Sequence, residues 1–356
     1  MKKSGKSNNS FIFAATSIYR SLFSLAAALL LIFIVGCGNN DRQVVIYTSV
    51  DQPFAEPVLR EFTARTGIEV KPVFDTEAAK TVGLANRLRA EAEAPKADVF
   101  WSSEFAHTMK LAREGLFTSY KPASTTDLLP QYFGENNLWT GFGLRARVLV
   151  TNTQKLPTAS EPTSLDDLLS KNWKPEEVTV AYPMFGTTNT HAAALYALGG
   201  EKGLMNFFAT LKENQAAFVD GNASTRDRVV AGASLVGLTD TDDALVAIKR
   251  GDPIKMIFPD QDKNGSGTLV IPNTVAILKN CPNPDNAKKF VDFITSAEGE
   301  KILIDKSEGF FSARNNAASQ PDWIPEEGIK PLAVKFEEVA ESVASAAEII
   351  NKHFLK

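Results

Sequence analysis

Cysteine, histidine and charge of one sign are all scarce in this sequence. Its 356 residues include two cysteines and three histidines, and the formal net charge is −4. Two cysteines are too few for a disulfide framework or a multi-cysteine zinc site. The near balance of acidic and basic side chains argues against nucleic acid as the main partner. With 44% hydrophobic and 22% charged residues, the chain is not globally disordered, and it is long enough for two domains.

The motifs of common enzyme classes are also missing. No GxSxG, GxxxxGK[ST] or HExxH pattern occurs. His107 and His191 are predicted within helices and His353 near the C-terminus, so we expect solvated or packing roles for all three. Cys281 is predicted in a turn, as a structural thiol. We therefore predict no enzymatic activity and no cofactor. The competing hypothesis is a surface-anchored enzyme with a metal bound at residues 240–242.

The N-terminal segment has the order of a secretion signal. Basic residues between positions 2 and 20 precede an uncharged stretch at 22–35, which as a helix reaches only roughly 21 Å, short of a ~30 Å bilayer core. The following sequence, IVGC, resembles a bacterial lipobox and implies cleavage before a lipidated Cys37. We predict a signal peptide at 1–36 and a lipidated tether at 37–42. An ordinary signal peptide or a membrane helix is the alternative.

Apolar runs alternate with helical patterns along the rest of the chain. The run at 43–48 and several later ones suit buried strands, and the alternation predicts an α/β fold with a mainly parallel sheet. Two long extended stretches, 138–151 and 267–278, interrupt the pattern and predict two strand crossings at a hinge. The predicted domains are lobe 1 at residues 43–143 and 272–356, and lobe 2 at residues 144–271.

Several segments resemble the extracellular solute-binding proteins of ABC importers. The similarity is carried by VIYTS at 45–49, EFTARTGIEV at 61–70 and ADVFWSS at 97–103, with further matches at 178–188, 287–294 and 296–299. It implies the two-lobed fold of the type 2 periplasmic binding proteins, and the ferric-iron-binding group is the most similar. It further implies a monomeric receptor that delivers a small ligand to a permease and its ATPase. Such a receptor would be a periplasmic or cell-surface lipoprotein, held to the membrane by lipid at Cys37.

The resemblance also implies positions for ferric-iron ligands. The adjacent tyrosine pair of the iron-binding relatives matches Thr239 and Asp240 here, so the pair is absent. A histidine ligand of some relatives aligns with Asp51, and their glutamate ligand matches Glu104 only with a one-residue slip. Ferric iron is a hard cation that carboxylate and phenolate oxygens can bind. A ferric-iron receptor therefore stays open as an alternative, with these candidate ligands: Tyr47, Glu104, Tyr182 and Asp240.

Hydroxyl-rich junctions between strands and helices are the main candidates for ligand binding. Ligands of open α/β sheets bind beyond the carboxyl ends of the strands, where helix N-termini favour an anion. Four such junctions begin near residues 48, 102, 185 and 221. Capping of the helices is the alternative role of their side chains. The predicted ligand-binding residues are Thr48, Ser49, Asp51, Ser102, Ser103, Gly186, Thr187, Thr188, Asn222, Ser224, Thr239 and Asp240.

An acidic run at 239–243 adds negative charge beside a predicted strand end. Asp240 could pair with an ammonium group or a metal, whereas Thr241 or Asp242 could cap the next helix and Asp243 could interact with its dipole. Four arginines, at positions 145, 147, 226 and 228, could reach an anionic ligand or stay exposed. The sequence thus predicts lobe closure around a small anionic or zwitterionic ligand of the phosphonate or phosphate-ester type.

Overall fold

The computed structural model describes residues 42–75, 81–170, 172–314 and 320–354. Its strands are β1 (Gln43–Thr48), β2 (Glu69–Phe74), β3 (Val99–Ser102), β4 (Phe117–Thr118), β5 (Thr140–Asn152), β6 (Val178–Ala181), β7 (Ala217–Val219), β8 (Val236–Asp240), β9 (Ile254–Ile257) and β10 (Val270–Leu278). Its α-helices are α1 (Gln52–Thr66), α2 (Val82–Ala90), α3 (Ala106–Arg113), α4 (Gly186–Glu213), α5 (Asn222–Val230), α6 (Thr241–Arg250), α7 (Pro284–Ile294), α8 (Ala297–Lys306) and α9 (Phe336–Phe354). Among these residues, no helix combines the length and apolarity needed to cross a bilayer.

The strands of lobe 1 form the sheet order β2-β1-β3-β10-β5. β1 is parallel to both β2 and β3, and β10 runs antiparallel to β3 and β5. The side chains of Val44 and Ile46 pack on one face with Phe62 of α1 and Phe290 of α7, where the two phenylalanine rings meet edge to face at 5.2 Å. The prediction of parallel strands separated by helices is therefore confirmed for β1, β2 and β3, whereas β10 is antiparallel to its neighbours.

Strand β5 joins the two lobes because it changes partner along its length. Residues through Ala146 pair with β10, whereas Arg147 and the residues after it pair with β8 and β9. Beyond β8 the sheet continues with β6, which pairs with β8, and with β7, which pairs with β6. Both pairings are parallel. All thirteen residues of β5 are buried. The two extended stretches predicted from the sequence, now β5 and β10, are the strand crossings between the lobes, as predicted.

The C-terminal helix α9 contacts both lobes. At its start Phe336 lies 4.3 Å from the Phe105 ring in lobe 1, and at its end Phe354 lies 6.4 Å from Phe208 of α4 in lobe 2. Lys212 also donates to the main-chain oxygen of His353 at 3.2 Å. The predicted domain boundaries place residues 272–356 wholly in lobe 1. The last turns of α9, however, pack on lobe 2.

Several helix boundaries differ from those the sequence predicts. The two helices predicted at 190–198 and 204–211 are the two parts of α4, which a backbone break at Gly200 separates, and the φ of 61° there suits glycine. The first part begins at Gly186 and the second ends at Glu213, so both extend beyond the predicted bounds. The helix predicted from residue 332 begins only at Phe336. The helix predicted around 76–93 is described as α2, and its predicted first residues, like Cys37 and the signal segment, lie outside the described residues.

Candidate functional site

A narrow pocket lies where the chain leaves β3, β6, β7 and β8. It has room for about one water molecule. Lobe 1 contributes Ser103, and β5 contributes Arg145. Lobe 2 contributes the other lining residues, which are Ala181, Tyr182, Phe185, Gly186, Thr187, Thr188, Asp220, Gly221, Asn222, Asp240 and Asp243.

Two helices of lobe 2 begin at this pocket. α4 starts at Gly186 after the extended residue Phe185, and α5 starts at Asn222 after the extended residue Gly221. Neither of these N-cap residues offers a side-chain acceptor to the first turn. The first backbone N–H groups of a helix have no partner within the helix, and its N-terminus carries a partial positive charge. Both helix ends therefore present donors suited to an anion.

A buried arginine holds the side chains of these two helix ends. Arg147 donates through Nη1 to Asp240 at 2.7 Å, to Asn222 at 3.0 Å and to Thr187 at 3.2 Å, and through Nη2 to Thr188 at 3.4 Å. Asp240 also accepts from Thr187 at 2.6 Å and from Asn222 at 3.0 Å. Because the network links β5, α4, α5 and β8, it fixes the first turns of the two helices relative to each other.

The second arginine of β5 lies on the same face of the strand, two residues earlier. Arg145 donates to Asp242 at 2.5 Å and to the Ser103 carbonyl at 2.6 Å, and it lies 3.5 Å from Asp240. Both arginines are buried. The alternative of exposed charges is therefore wrong for Arg145 and Arg147. The prediction of an exposed charge fits Arg228 better. Its side chain is partly exposed and pairs with Glu176 at 2.5 Å.

Burial and the arginines set opposite pKa shifts on two neighbouring carboxyls. Burial alone would raise the pKa of Asp240, but Arg147 and Arg145 outweigh it and hold that pKa below its usual range. Burial raises the pKa of Asp242, and the nearby Asp240 charge adds to the shift although Arg145 opposes it. The two arginines therefore favour the ionised form of Asp240 more strongly than that of Asp242.

Three carboxylates of the acidic run lie close enough to share a metal ion. One oxygen from each of Asp240, Asp242 and Asp243 falls within 4.8 Å of the others. Arg226 pairs with Asp243 at 3.2 Å, and the two β5 arginines pair with Asp240 and Asp242. Neither Thr241 nor Asp242 caps α6, since Asp240 is the N-cap and makes no side-chain capping bond. The acidic run is thus neutralised by arginines.

The lobe 1 junctions use their polar groups within lobe 1. The Ser49 hydroxyl lies 3.4 Å from Ser102 Oγ and 3.2 Å from Ser103 Oγ, and it accepts the Ser103 N–H at 2.9 Å. The sequence predicts Ser102 or Ser103 as the cap of the next helix. The carboxylate of Glu104 takes that role instead, accepting the N–H groups of Ala106 at 2.6 Å and His107 at 3.1 Å.

Glu104 also connects the lobes. Its carboxylate lies 3.1 Å from His107 Nδ1 and accepts the hydroxyl of Thr190, from α4, at 2.9 Å. Burial alone would raise the pKa of Glu104. The His107 ring and the hydrogen bonds from His107 and Thr190 outweigh that effect and hold the pKa below its usual range. With these partners Glu104 is a structural carboxylate, and it does not line the pocket.

The other predicted binding residues fall into two groups. Those brought together at the pocket are Ser103, Gly186, Thr187, Thr188, Asn222 and Asp240. Thr48 is buried and accepts the Val50 N–H at 3.1 Å, whereas Thr239 donates to the Asn222 carbonyl at 3.1 Å. Those outside the pocket lining are Thr48, Ser49, Asp51, Ser102, Ser224 and Thr239.

The two tyrosines proposed as iron ligands lie in different places. Tyr182 is 39% exposed and lines the pocket. Tyr47 is buried, donates to Glu91 at 2.9 Å and lies under the Arg87 guanidinium, 4.5 Å from the ring centre. Burial and the Glu91 hydrogen bond raise the pKa of Tyr47 to about 12. Tyr47 therefore packs against α2 and is not among the residues that line the pocket.

Sequence reasoning missed the internal ion pairs and Asp220. Arg145 and Arg147 stand two positions apart in an apolar strand, so they share one face and need buried partners. The spacing of the two arginines was therefore the signal that they need buried partners. Asp220 directly follows β7 and gives no comparable signal. Of the histidines, His191 is buried with both ring nitrogens unpartnered among the described residues. Burial, followed by the charge of Arg147, lowers its pKa to about 3.

A family model described as bacterial extracellular solute-binding protein matches residues 47–301. The chain belongs to this family. It is 28% identical over 308 residues to the Fe(3+)-binding periplasmic protein of Serratia marcescens, covering 85% of this chain and 88% of that one. It is also 28% identical over 251 residues to a periplasmic protein of Salmonella typhimurium that is provisionally named for 2-aminoethylphosphonate binding, covering 70% and 71% of the two chains.

The fold is shared with solved binding proteins. Iron-bound HitA from Pseudomonas aeruginosa superposes with a TM-score of 0.77 at 23% identity, covering 86% of this chain and 99% of that one. The predicted two-lobed α/β fold is thereby confirmed. Family membership also gives the general function, which is solute binding for an ABC importer, a class of receptors and not of enzymes.

Proposed function

We propose that the ligand is a small phosphonate or phosphate ester whose anionic group binds at the N-termini of α4 and α5. The observation that carries the proposal is the pair of uncapped helix ends at one pocket. Their hydroxyl and amide side chains are held in place by Arg147. Backbone donors and helix dipoles favour a compact oxyanion over a neutral solute. A phosphoryl group matches the chemistry of this arrangement.

Lobe closure would complete the site. A hydrogen bond already joins the lobes, from Thr190 to Glu104 at 2.9 Å, and Arg145 of the connecting strand β5 donates to the Ser103 carbonyl at 2.6 Å. An anion that contacts the lobe 2 helix ends and Ser103 at once is bound better in the closed state than in the open one. This difference in affinity is what drives closure. The closed receptor would then deliver the ligand to the permease and its ATPase.

Attachment to a membrane through Cys37 belongs to the same proposal. We propose a monomeric receptor that is held beside its permease by lipid at this one residue. Acyl chains transfer into a bilayer, and two of them give durable anchoring. Cys37→Ser should therefore release the protein from the membrane fraction. Persistent anchoring of this variant would contradict lipidation.

A ferric-iron receptor is the second candidate, favoured by the cluster of Asp240, Asp242 and Asp243. Tyr182 could supply one phenolate to such a site. The difficulty is electrostatic, because Fe³⁺ would have to displace the arginines that already pair with all three carboxylates. No tyrosine lies between Thr239 and Asp243 to bind iron in place of these carboxylates. The phosphoryl ligand needs no such exchange, and we favour it.

Calorimetric titration distinguishes these candidates. We expect 2-aminoethylphosphonate or a phosphate ester to bind with one-to-one stoichiometry, without turnover, and ferric citrate to give no heat of binding. Thr188→Val should weaken binding of the phosphoryl ligand. Binding of ferric iron alone would contradict the proposal and support the iron receptor. Metal-dependent formation of a product would instead support the enzyme hypothesis.

A further inference from the structure

The charged side chains that line the pocket are not all paired. Arg145, Asp240 and Asp243 take part in the ion pairs described above. Asp220 is exposed, and within the described part of the chain its carboxylate forms no hydrogen bond or ion pair. The pocket therefore combines neutralised ion pairs, two helix ends that attract an anion, and one carboxylate without a counter-charge. A purely anionic ligand would leave that carboxylate unpaired.

Strand register makes an aromatic residue the neighbour of Asp220. Ala181 is the register partner of Val219 in the parallel pair β6–β7, so Tyr182 and Asp220 are the next residues along the two strands. The Tyr182 N–H donates to the Val219 carbonyl at 2.9 Å, which holds the two strand ends together. The Tyr182 ring lies 5.6 Å from that of Phe218 and keeps much of its surface exposed. Both residues line the pocket.

A carboxylate beside an exposed aromatic ring suits an organic cation. An ammonium group gains a charge-assisted hydrogen bond from the carboxylate and an electrostatic attraction from the face of the ring. We infer that Asp220 and Tyr182 determine specificity for the cationic end of a zwitterionic ligand, whose anionic end occupies the helix N-termini. This inference rests on the proposed function and narrows it from phosphoryl compounds in general to aminoalkyl phosphonates and phosphates.

Asp220 replaces Asp240 as the expected partner of an ammonium group. Asp240 is buried and accepts from Arg147, Thr187 and Asn222. An ammonium group would have to displace one of these donors to reach it. Asp220 lies at the mouth of the pocket and needs no such rearrangement.

The test compares two ligands on matched variants. Titrations use 2-aminoethylphosphonate and ethylphosphonate, which differ in the ammonium group, with the full chain and with Asp220→Asn. We expect the substitution to weaken binding of 2-aminoethylphosphonate by about tenfold or more, because a charge-assisted hydrogen bond is lost, and to leave ethylphosphonate unaffected or improved. Tyr182→Ala should cost a few-fold for the amino ligand, and Tyr182→Phe, which keeps the ring, much less.

Glu201→Gln is the control for loss of one surface charge. Glu201 is exposed and lies on α4 roughly 20 Å along the helix from Gly186. We expect it to leave both affinities unchanged. If both phosphonates bind equally and Asp220→Asn changes neither, or if only a phosphate ester without an amine binds, the inference is wrong and the proposed function stands. If no phosphonate or phosphate ester binds, the proposed function itself is wrong.

Discussion

The two lobes differ in how they treat the first N–H groups of their helices. Each places hydroxyl-rich junctions at the ends of parallel strands, where helices begin. In lobe 1 the carboxylate of Glu104 accepts the first N–H groups of α3, and Ser49 bonds with Ser102 and Ser103. In lobe 2 the first turns of α4 and α5 receive no side-chain cap and face the pocket. Lobe 1 therefore caps its helix end with its own carboxylate, whereas lobe 2 leaves the N–H groups at its helix ends to a ligand.

This difference between the lobes is not visible from the residue types at the helix starts. Serine, threonine and asparagine near a helix start are compatible with capping or with ligand binding, and the residue types do not distinguish the two. What distinguishes them here is a single glutamate in lobe 1 and a buried arginine in lobe 2. Glu104 caps the start of α3. Arg147 instead donates to the side chains of Thr187, Thr188 and Asn222, and the backbone N–H groups at the starts of α4 and α5 stay uncapped.

The largest expected effect comes from removing Arg147. Arg147→Met leaves the Asp240 carboxylate buried without its main counter-charge, so we expect a loss of about 3–5 kcal/mol in the free energy of unfolding. Denaturant titration measures this. Arg228→Met is the control, because Arg228 pairs with an exposed carboxylate and should cost no more than about 1 kcal/mol. Equal stabilities of the two variants would contradict the central role of the lobe 2 network.

The cap in lobe 1 should come next. Glu104→Ala removes the acceptor of two backbone N–H groups at the start of α3, for which we expect a loss of about 2 kcal/mol in the free energy of unfolding. Ser103→Ala, at a position the sequence suggests as the cap, should cost less than about 1 kcal/mol. The comparison fails if Ser103→Ala proves the more destabilising of the two by denaturant titration.

A third prediction concerns pH and the buried histidine of lobe 2. The pKa of His191 is lowered from 6.5 to about 3, so between these values the unfolded chain binds more protons than the folded one. Its contribution to stability is present above pH 6.5 and is lost as the pH falls through this window. Between pH 7 and pH 5 we expect a loss of about 2 kcal/mol that His191→Leu abolishes.

The matched control for that measurement is His353→Gln. His353 is exposed near the end of α9, and its substitution should keep the pH dependence of the wild-type chain. Unfolding curves recorded at several pH values for the three proteins provide the comparison. An unchanged pH dependence in the His191 variant would show that His191 is not the buried neutral group described here.

The smallest expected effect compares single hydroxyls of the two lobes. Thr188→Val removes a hydroxyl at the lobe 2 helix end and should weaken binding of 2-aminoethylphosphonate by roughly tenfold. Ser49→Ala removes a hydroxyl already used within lobe 1 and should change the affinity less than about twofold. Titration calorimetry gives both values. Equal losses would mean that the two lobes contribute alike to binding.

The fold was largely predictable because its signals are local and periodic. Apolar strands, the helix end at Thr66 followed by Gly67 with a φ of 69°, and two long extended crossings are all visible in the sequence. The start of α4 was harder to predict, since residues 187–189 carry hydroxyl and amide side chains that suit a loop as well as a helix. Tertiary contacts decide such cases.

The candidate site was predictable only in part. Six of the predicted residues come together because strand ends and helix starts meet at one edge of the sheet. The ion pairs could not be predicted, because Arg145 and Arg147 find partners more than ninety residues away. Those pairings removed Asp240 as a free carboxylate and left Asp220 in that role. Tyr47 was misplaced because its side chain is buried beside α2, where it bonds with Glu91.

The decisive measurement is a crystal structure of the chain soaked or grown with 2-aminoethylphosphonate. We expect phosphonate oxygens within about 2.7–3.2 Å of backbone nitrogens in the first turns of α4 and α5. The ammonium group should lie beside Asp220 and Tyr182. A phosphonate bound at the lobe 1 junctions, or a ferric ion held by Asp240, Asp242 and Asp243 in its place, would show that the helix ends of lobe 2 are not the ligand site.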